Sequence, residues 1–232
     1  MTTPPFDFLA GEILLVDKPL GWSSFDVVNK LRWELKKKLG VKKIKVGHAG
    51  TLDPLATGLL IICTGKKTKI SESLMSEKKT YTGKFLLGKT TPSYDLETEY
   101  DKNFPTDHIT KENIEEITQQ FIGEQLQTPP IFSAKKIDGK RAYASARDGK
   151  SITMKPSTIS IFDFSTSMEN FPEITFRVTC SKGTYIRSLA HDFGQKLNSG
   201  ATLIELRRTQ SGAFNVDNAK TVDEWVALIQ ER

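Results

Sequence analysis

The chain has 232 residues, of which 38% are hydrophobic and 26% are charged, as in globular proteins with a packed core. Its 33 basic and 28 acidic residues give a net charge of +5, so the distribution of charge matters more than the total. The sequence has no signal-peptide pattern and no apolar stretch of about 18 residues, which predicts a cytoplasmic protein without a membrane span. Its few cysteines and histidines form no close metal-ligand cluster, and both cysteines indicate buried, reduced thiols.

Strands and helices are predicted in mixed order along the chain. Apolar runs and alternating patterns predict strands at 12–16, 80–88, 157–164, 173–180 and 202–208. Helical spacing and capping residues predict helices from Ser23 to Gly40, over 110–122 with Thr110 as its cap, from after Gly183 to about Leu197, and from the Thr221–Glu224 capping box onwards. The apolar run at 59–63 fits either a buried strand or a helix segment. This order predicts an α+β fold with a mixed, mostly antiparallel sheet, in one domain over 1–232.

Residues 47–58 read GHAGTLDPLATG and place one carboxylate, Asp53, among turn-forming residues. Glycines permit backbone angles that other residues resist, and Pro54 disfavours the helical region for Asp53. Two interpretations follow: an ordinary Asp-initiated turn, or a shaped loop that presents a catalytic carboxylate.

Basic residues are concentrated in a few segments. Residues 30–46 carry eight lysines and arginines and one acid, and 128–150 mix basic residues with Phe132 and Tyr143. A third pair is Arg207 and Arg208. These segments fit either solvated surface or contacts with the phosphates and unstacked bases of RNA. We interpret 128–150 as a long functional loop with one short helix.

Several of these stretches together resemble the TruB family, the bacterial tRNA pseudouridine-55 synthases. The similar blocks, from about residue 12 to residue 213, are LLVDKPLGWSSFDV, GHAGTLDPLATG, KKTYTGKFLLGKTT, PPIFSAKKIDGKRAYASARDGK, SKGTYIRSLAHDFGQKL and GATLIELRRTQSG. The resemblance implies a pseudouridine synthase catalytic fold that isomerises uridine 55 in the tRNA T loop. It also implies no cofactor, no metal and no obligatory protein partner.

The resemblance assigns the central chemistry to Asp53, as a nucleophile or in proton transfer. Arg187 corresponds to the arginine that pairs with this aspartate and keeps it ionised. Tyr185 belongs to the same substrate-binding segment. Since two residues two positions apart do not share a helix face, 183–187 is expected to be extended, with the helix beginning near Ser188.

Four more residues are assigned to substrate binding by the same resemblance. Tyr81 corresponds to the tyrosine that stacks on the flipped uracil, and His48 to a histidine that holds the flipped nucleotide or fills the gap it leaves. Leu206 corresponds to a pocket-lining position, although core packing explains it nearly as well. Lys18 either contacts phosphate or braces the active loop.

The sequence also departs from the family pattern. In the stretch TTPSYDLETE, residues 90–99, Thr98 stands where a glycine usually follows the aspartate. The chain is also expected to lack the C-terminal RNA-binding domain of the PUA type. Two alternatives stay open: pseudouridylation of another RNA, as by the guide-RNA enzymes, and a chaperone that folds tRNA without chemistry.

Overall fold

The computed structural model describes residues 6–132, 136–137, 140–141 and 154–231. The chain forms two compact units, the first of Met1–Tyr81 with Leu206–Arg232 and the second of Thr82–Glu205. In the described ranges, no helix has the length and apolarity needed to cross a bilayer.

The strands are β1 Ile13–Lys18, β2 Val46–His48, β3 Ala56–Thr64, β4 Lys79–Leu87, β5 Lys89–Thr90, β6 Lys102–Asn103, β7 Gly123–Gln127, β8 Lys136–Ile137, β9 Lys140–Arg141, β10 Ser157–Asn170, β11 Glu173–Cys180, β12 Ala201–Ser211, β13 Phe214–Asn215 and β14 Lys220–Thr221. The helices are α1 Ser24–Leu39, α2 Ser71–Ser76, α3 Lys111–Gln120, α4 Ile186–Lys196 and α5 Val222–Glu231. Some strands follow one another directly and others are separated by helices, and antiparallel pairings outnumber the parallel pairs β1–β14 and β3–β12. The predicted α+β class is confirmed.

In the first unit, strand β3 is the centre of the sheet. One of its edges pairs with β1, from Ile13 opposite Cys63 to Lys18 opposite Gly58. Its other edge pairs with β2 at residues 62–64 and with β12 at residues 56–58. Since the run at 59–63 lies inside this buried strand, the strand interpretation is right and the helical one is wrong.

Helix α1 follows from its caps and its apolar spacing. Ser23 and Asp26 form a capping box at its start, and Gly40 ends it in the left-handed conformation at φ 63°. Its buried face includes Val28 and Leu31, and the helix packs against β2 and α5. The predicted helix from Ser23 to Gly40 is confirmed.

The second unit has an aromatic core. Strands β4, β11, β10 and β7 lie side by side in that order. Ring contacts at centroid distances between 4.2 and 6.5 Å join Phe85, Phe121, Phe164, Phe176 and Phe193. Such edge-to-face and offset pairs add to the stability gained from burial. Helix α4 supplies Phe193, and Phe121 directly follows helix α3, so both helices pack on this core.

Two further predictions from the sequence agree with the structure. Both cysteines, Cys63 and Cys180, are buried, and the predicted capping box at Thr221 is present in α5. Most of the predicted functional loop at 128–150, with its short helix and its basic cluster, lies outside the described residues.

Candidate active site

Asp53 lies on the seven-residue connection between β2 and β3 and is half-buried. The backbone on each side of it is fixed. The hydroxyl of Ser24 accepts a hydrogen bond from Leu52 N at 2.8 Å and donates to Leu52 O at 3.0 Å. After Asp53, the carbonyl of Pro54 accepts from Gly21 N at 2.9 Å. The carboxylate therefore projects from a connection whose neighbouring residues are tied to α1 and to the turn before it.

A buried arginine, Arg208, supports the same connection. Its Nε donates to the carbonyl of Leu59 at 2.7 Å, and its Nη2 donates to the carbonyl of Gly50 at 3.1 Å. Leu59 lies in the stretch of β3 between its pairings with β2 and β12, so the guanidinium satisfies a carbonyl that the strand ladder leaves free. The side chain is 1% exposed and places a positive charge beneath the Asp53 connection.

The parallel pairing of β3 with β12 requires glycine at position 58. Gly58 lies opposite Arg208 and has φ +99°. A Cβ atom at this position would lie 2.3 Å from the carbonyl oxygen of Arg208, closer than real contacts allow. Only glycine combines this backbone angle with this close approach, which keeps the start of β3, and hence Asp53, next to β12.

Lys18 is a second buried cation in this unit. Its Nζ donates to the carbonyls of Pro19 at 2.8 Å and Trp22 at 2.6 Å, and the residue has no exposed surface. Burial lowers the pKa of Lys18 to about 8, while the carboxylate of Asp53 opposes the shift by favouring the charged form. Lys18 thus braces the turn before α1, and its geometry supports the bracing alternative over a phosphate contact.

His48 ends strand β2 and pairs in the ladder with Ile62. Its Nδ1 is buried and has no hydrogen-bond partner in the described parts of the chain. Burial and, to a lesser extent, the charge of Arg208 lower the pKa of His48. The imidazole is therefore neutral at neutral pH and suited to packing against a ligand rather than to ion pairing.

Two further predicted residues lie in the same unit. Tyr81 is in β4 and is buried, with 9% of its surface exposed. Leu206 is in β12, half-buried, and pairs with Ala56 three residues after Asp53. The first unit thus holds five of the seven predicted site residues: Asp53, His48, Lys18, Tyr81 and Leu206.

Arg187 lies in the second unit, in the first turn of α4, and is buried. Its Nε is 3.6 Å from Oδ2 of Asp95, and its Nη1 donates to the carbonyl of Ser93 at 3.5 Å. The hydroxyl of Thr98 lies 2.8 Å from that of Ser93 and accepts from Ser93 N at 3.2 Å, which closes the loop around Asp95. The threonine thus makes its own turn contacts where the family has glycine. The pairing of Arg187 with Asp53 stays a prediction.

Helix α4 begins at Ile186, so the predicted start near Ser188 is wrong by two residues. The buried amide of Gln127 accepts from Tyr185 N at 2.8 Å and donates to Tyr185 O at 3.0 Å. This clamp holds Tyr185 extended at φ −97° as the residue before the helix. Tyr185 is therefore extended, as expected, but Arg187 is already helical.

From the sequence, Arg207 and Arg208 were grouped as one basic pair that could contact a polyanion. In the structure, the two side chains have different partners. Arg207 makes a bidentate ion pair with Asp17, at 2.9 and 2.7 Å, and this pair raises the pKa of Arg207. Arg208 is buried. Successive strand residues point to opposite faces, so two adjacent arginines on β12 have different partners. Neither side chain serves as an open phosphate site.

The sequence did not show that three polar residues near the predicted site residues are buried: Arg208, Asp95 and Gln127. Arg208 was noted only as half of a basic pair, and Asp95 only as the aspartate before Thr98, because residue type does not reveal burial. Gln127 lies in the polar strand GEQLQ, where no local signal distinguishes it from its neighbours.

Chemically, the first unit offers a half-buried carboxylate on a fixed backbone, together with two buried cations. Fixed positive charge in a partly dry site stabilises negative charge that develops on a departing group. A carboxylate placed in this way can act as a nucleophile or accept a proton.

Two family models match consecutive parts of the chain. The TruB family pseudouridylate synthase N-terminal domain matches residues 36–186, and the tRNA pseudouridylate synthase B C-terminal domain matches residues 187–231. The chain belongs to the TruB family. It is thus an enzyme of the pseudouridine synthase class, and the first match contains Asp53, His48, Tyr81 and Tyr185.

Relatives in this family are similar over nearly the whole chain. A tRNA pseudouridine synthase B from Flavobacterium johnsoniae is 57% identical over 93% of this chain and 94% of its own length. One from Phocaeicola vulgatus is 54% identical over 95% of both chains. Among solved structures, a chain of a Cbf5-Nop10-Gar1 complex has a TM-score of 0.70 and 28% identity; the match covers 95% of this chain and 54% of that one.

Proposed function

We propose that this TruB family member converts uridine 55 in the T loop of tRNA to pseudouridine. The observation that carries the proposal is the fixed Asp53 connection, with buried Arg208 and Lys18 beside it, in the motif GHAGTLDPLATG. The high identity to two enzymes named tRNA pseudouridine synthase B supports tRNA as the substrate.

The reaction breaks the bond between N1 of uracil and C1′ of ribose and forms one between C5 and C1′. The proton on C5 leaves and N1 gains one, so no atom is lost and no oxidant or reductant is needed. Uracil can leave as a delocalised anion, so a single carboxylate suffices, whereas glycosidases usually need a second carboxyl group as an acid. We assign the single carboxylate to Asp53, either in attack or in proton transfer.

The base has to leave the RNA stack before the carboxylate can reach C1′. We assign the stacking surface for the flipped uracil to Tyr81, because an aromatic face recovers about 1–3 kcal/mol per stacked base. Neutral His48 is assigned to the nucleotide, and Leu206 and Tyr185 to the walls around the base.

We assign Arg187 to the ion pair with Asp53 that the resemblance to the family implies. Its buried partner Asp95 and the carbonyl of Ser93 orient the guanidinium, so that little side-chain freedom is lost when the site assembles. The arginine stays charged at any working pH, which suits a partner that must keep Asp53 ionised.

Replacement of Asp53 by asparagine tests the assignment. A tRNA transcript with tritium on C5 of uridine releases tritium only when C5 loses its hydrogen. We expect Asp53→Asn to abolish release and to bind the transcript as tightly as the unchanged enzyme. The matched control is Asp163→Asn, at an exposed carboxylate of β10, which should release tritium at the unchanged rate.

Mapping of the modified position separates the proposal from its alternatives. Pseudouridine at position 55, lost in the Asp53→Asn enzyme, supports it. Tritium release by the Asp53→Asn enzyme would show that the assignment of Asp53 is wrong. Absence of pseudouridine from tRNA treated with the unchanged enzyme would favour either another RNA substrate or a chaperone role.

A further inference from the structure

The outward side of α1 carries two large aromatic side chains in solvent. Phe25 is 59% exposed and Trp33 is 56% exposed. They lie eight residues apart, slightly more than two helical turns, so both project from the same side of the helix. The opposite side of α1 is buried through Val28, Leu31 and their neighbours, so neither ring is needed for the core.

Cations surround both rings. The Nζ of Lys37 lies 5.2 Å from the centroid of Trp33, and the Nζ of Lys30 lies 5.6 Å from it. The guanidinium of Arg32 lies 5.9 Å from the centroid of Phe25. Such contacts at exposed sites are weak, equivalent to about a two- to fivefold change in an equilibrium constant.

The lysines of this side are only partly balanced by acids. Lys30 pairs with buried Glu34 at 2.8 Å. Within the part of the chain that the structure describes, the exposed Lys36, Lys37, Lys42 and Lys43 make no ion pair. The side chains closest to the two rings thus form a basic surface with aromatic faces.

We propose that the α1 surface, defined as Phe25, Trp33, Lys36 and Lys37, binds the tRNA substrate at nucleotides other than the one that reacts. The proposal rests on the proposed function. Trp33 stacks on an unpaired base, and Lys36 and Lys37 contact phosphates. Polyanions bind clustered lysines by counterion release, and aromatic rings among the cations are typical of proteins that bind unpaired RNA bases.

Base stacking can replace the lysine contact at Trp33. Removal of a base-stacking ring lowers affinity by about 5- to 150-fold, more than the two- to fivefold effect of an exposed cation over a ring. Lys37 is exposed and makes no ion pair in the described ranges, so it can move from the ring to a phosphate, although its charge also favours the ionised form of Glu34. Lys30 stays with Glu34.

The path of α1 gives the distance between this surface and the reacting nucleotide. Ser24 contacts Leu52, the residue before Asp53, so the first turn of α1 lies beside the site. With about 1.5 Å of rise per residue, Trp33 lies about 14 Å further along the helix and Lys37 about 20 Å. Arg32 fixes this part of the helix by donating to the carbonyl of Val46 at 2.9 Å. Trp33, Lys36 and Lys37 therefore lie several nucleotides from the flipped base, whereas Phe25 lies in the first turn, beside the site.

Three variants of the full chain test the surface with an unmodified tRNA transcript. Trp33→Ala should raise the dissociation constant by at least about fivefold, whereas Trp33→Phe, which keeps a ring, should stay close to the unchanged protein. Lys36→Gln with Lys37→Gln should lower the slope of log K against log salt by about 1.4 to 1.8, because two phosphate contacts are lost. The rate of pseudouridine formation at saturating enzyme should be unchanged in all of them.

The matched control is Lys66→Gln with Lys69→Gln, which removes the same charge from exposed lysines elsewhere in the first unit. The control should leave both affinity and salt slope unchanged. If the α1 variants bind tRNA with unchanged affinity and slope, the proposal is wrong, and a partner of another class is the remaining explanation for the surface. Failure of the proposed function is a separate result, since the unchanged enzyme would then form no pseudouridine whatever its affinity for tRNA.

Discussion

Ser24 holds Leu52 through both of its backbone groups, since one hydroxyl accepts from Leu52 N at 2.8 Å and donates to Leu52 O at 3.0 Å. Both residues are buried, so water cannot replace either bond. The first residue of α1 thereby fixes the position of the residue directly before Asp53. The capped helix thus serves as a rigid support for the connection that carries Asp53.

Ser24→Ala should lower both the stability and the rate of pseudouridine formation. Two buried backbone groups of Leu52 lose their partner, each at about 1–3 kcal/mol, and the backbone before Asp53 can shift. Ser23→Ala is the control, because it removes the cap of the same helix, at about 1 kcal/mol, without touching the connection. Urea unfolding and single-turnover rates should show a loss of stability in both variants and a loss of rate in Ser24→Ala alone. Equal rates in the two variants would contradict this role.

The adjacent arginines of β12 should differ in their effect on the free energy of unfolding. Arg208→Met leaves the buried carbonyl of Leu59 and the half-buried carbonyl of Gly50 without their donors, so we expect a loss of about 3 kcal/mol or more. Arg207→Met removes a half-exposed ion pair with Asp17, which should cost about 1 kcal/mol. Chemical denaturation of both variants measures the difference. Similar losses would mean that the carbonyls find other partners.

Lys18 should make stability depend on pH in alkaline solution. Its pKa is lowered to about 8 in the folded protein, chiefly by burial, against 10.5 for a free side chain. Between these values the unfolded chain binds more protons than the folded one, so the free energy of unfolding should rise from pH 8 to pH 10.5 through this group. Below pH 8 the group is protonated in both states and adds no pH dependence.

The measurement for Lys18 is a comparison with Lys18→Met. Other titrating groups contribute equally to both proteins and cancel in the difference between their unfolding free energies. Between pH 8 and pH 10.5, the free energy of unfolding of the lysine protein should rise relative to that of Lys18→Met. If the difference does not change with pH, the pKa of Lys18 is the same in the folded and the unfolded protein.

The buried ion pair of the second unit should matter far more than an exposed one. Asp95→Asn removes the buried carboxylate that lies 3.6 Å from Nε of Arg187, and removal of one partner of a buried ion pair costs about 3–5 kcal/mol. The control is Glu173→Gln, which breaks the half-exposed pair with Lys84 at 3.2 Å and should cost no more than about 1 kcal/mol. Thermal and urea unfolding check both values, and a loss below 1 kcal/mol for Asp95→Asn would refute the buried pair.

Patterns of short range were sufficient to predict most elements of the fold. The caps at Ser23 and Thr110 and the alternation in β11 depend on neighbours within a few residues, so the sequence displays them directly. The start of α4 was missed because Gln127, distant along the chain, holds Tyr185 extended and lets the helix begin at Ile186.

The sequence by itself determined the α+β class, the capped ends of α1 and α3 and the location of Asp53 in a loop of glycines and a proline, because each depends on local backbone preferences. Only the tertiary structure decided what holds that loop. Ser24 reaches it from α1 and Arg208 from a parallel strand about 150 residues further along the chain. Contacts between distant segments form only when the sheet register is set, so residue type alone could not separate buried Arg208 from half-exposed Arg207.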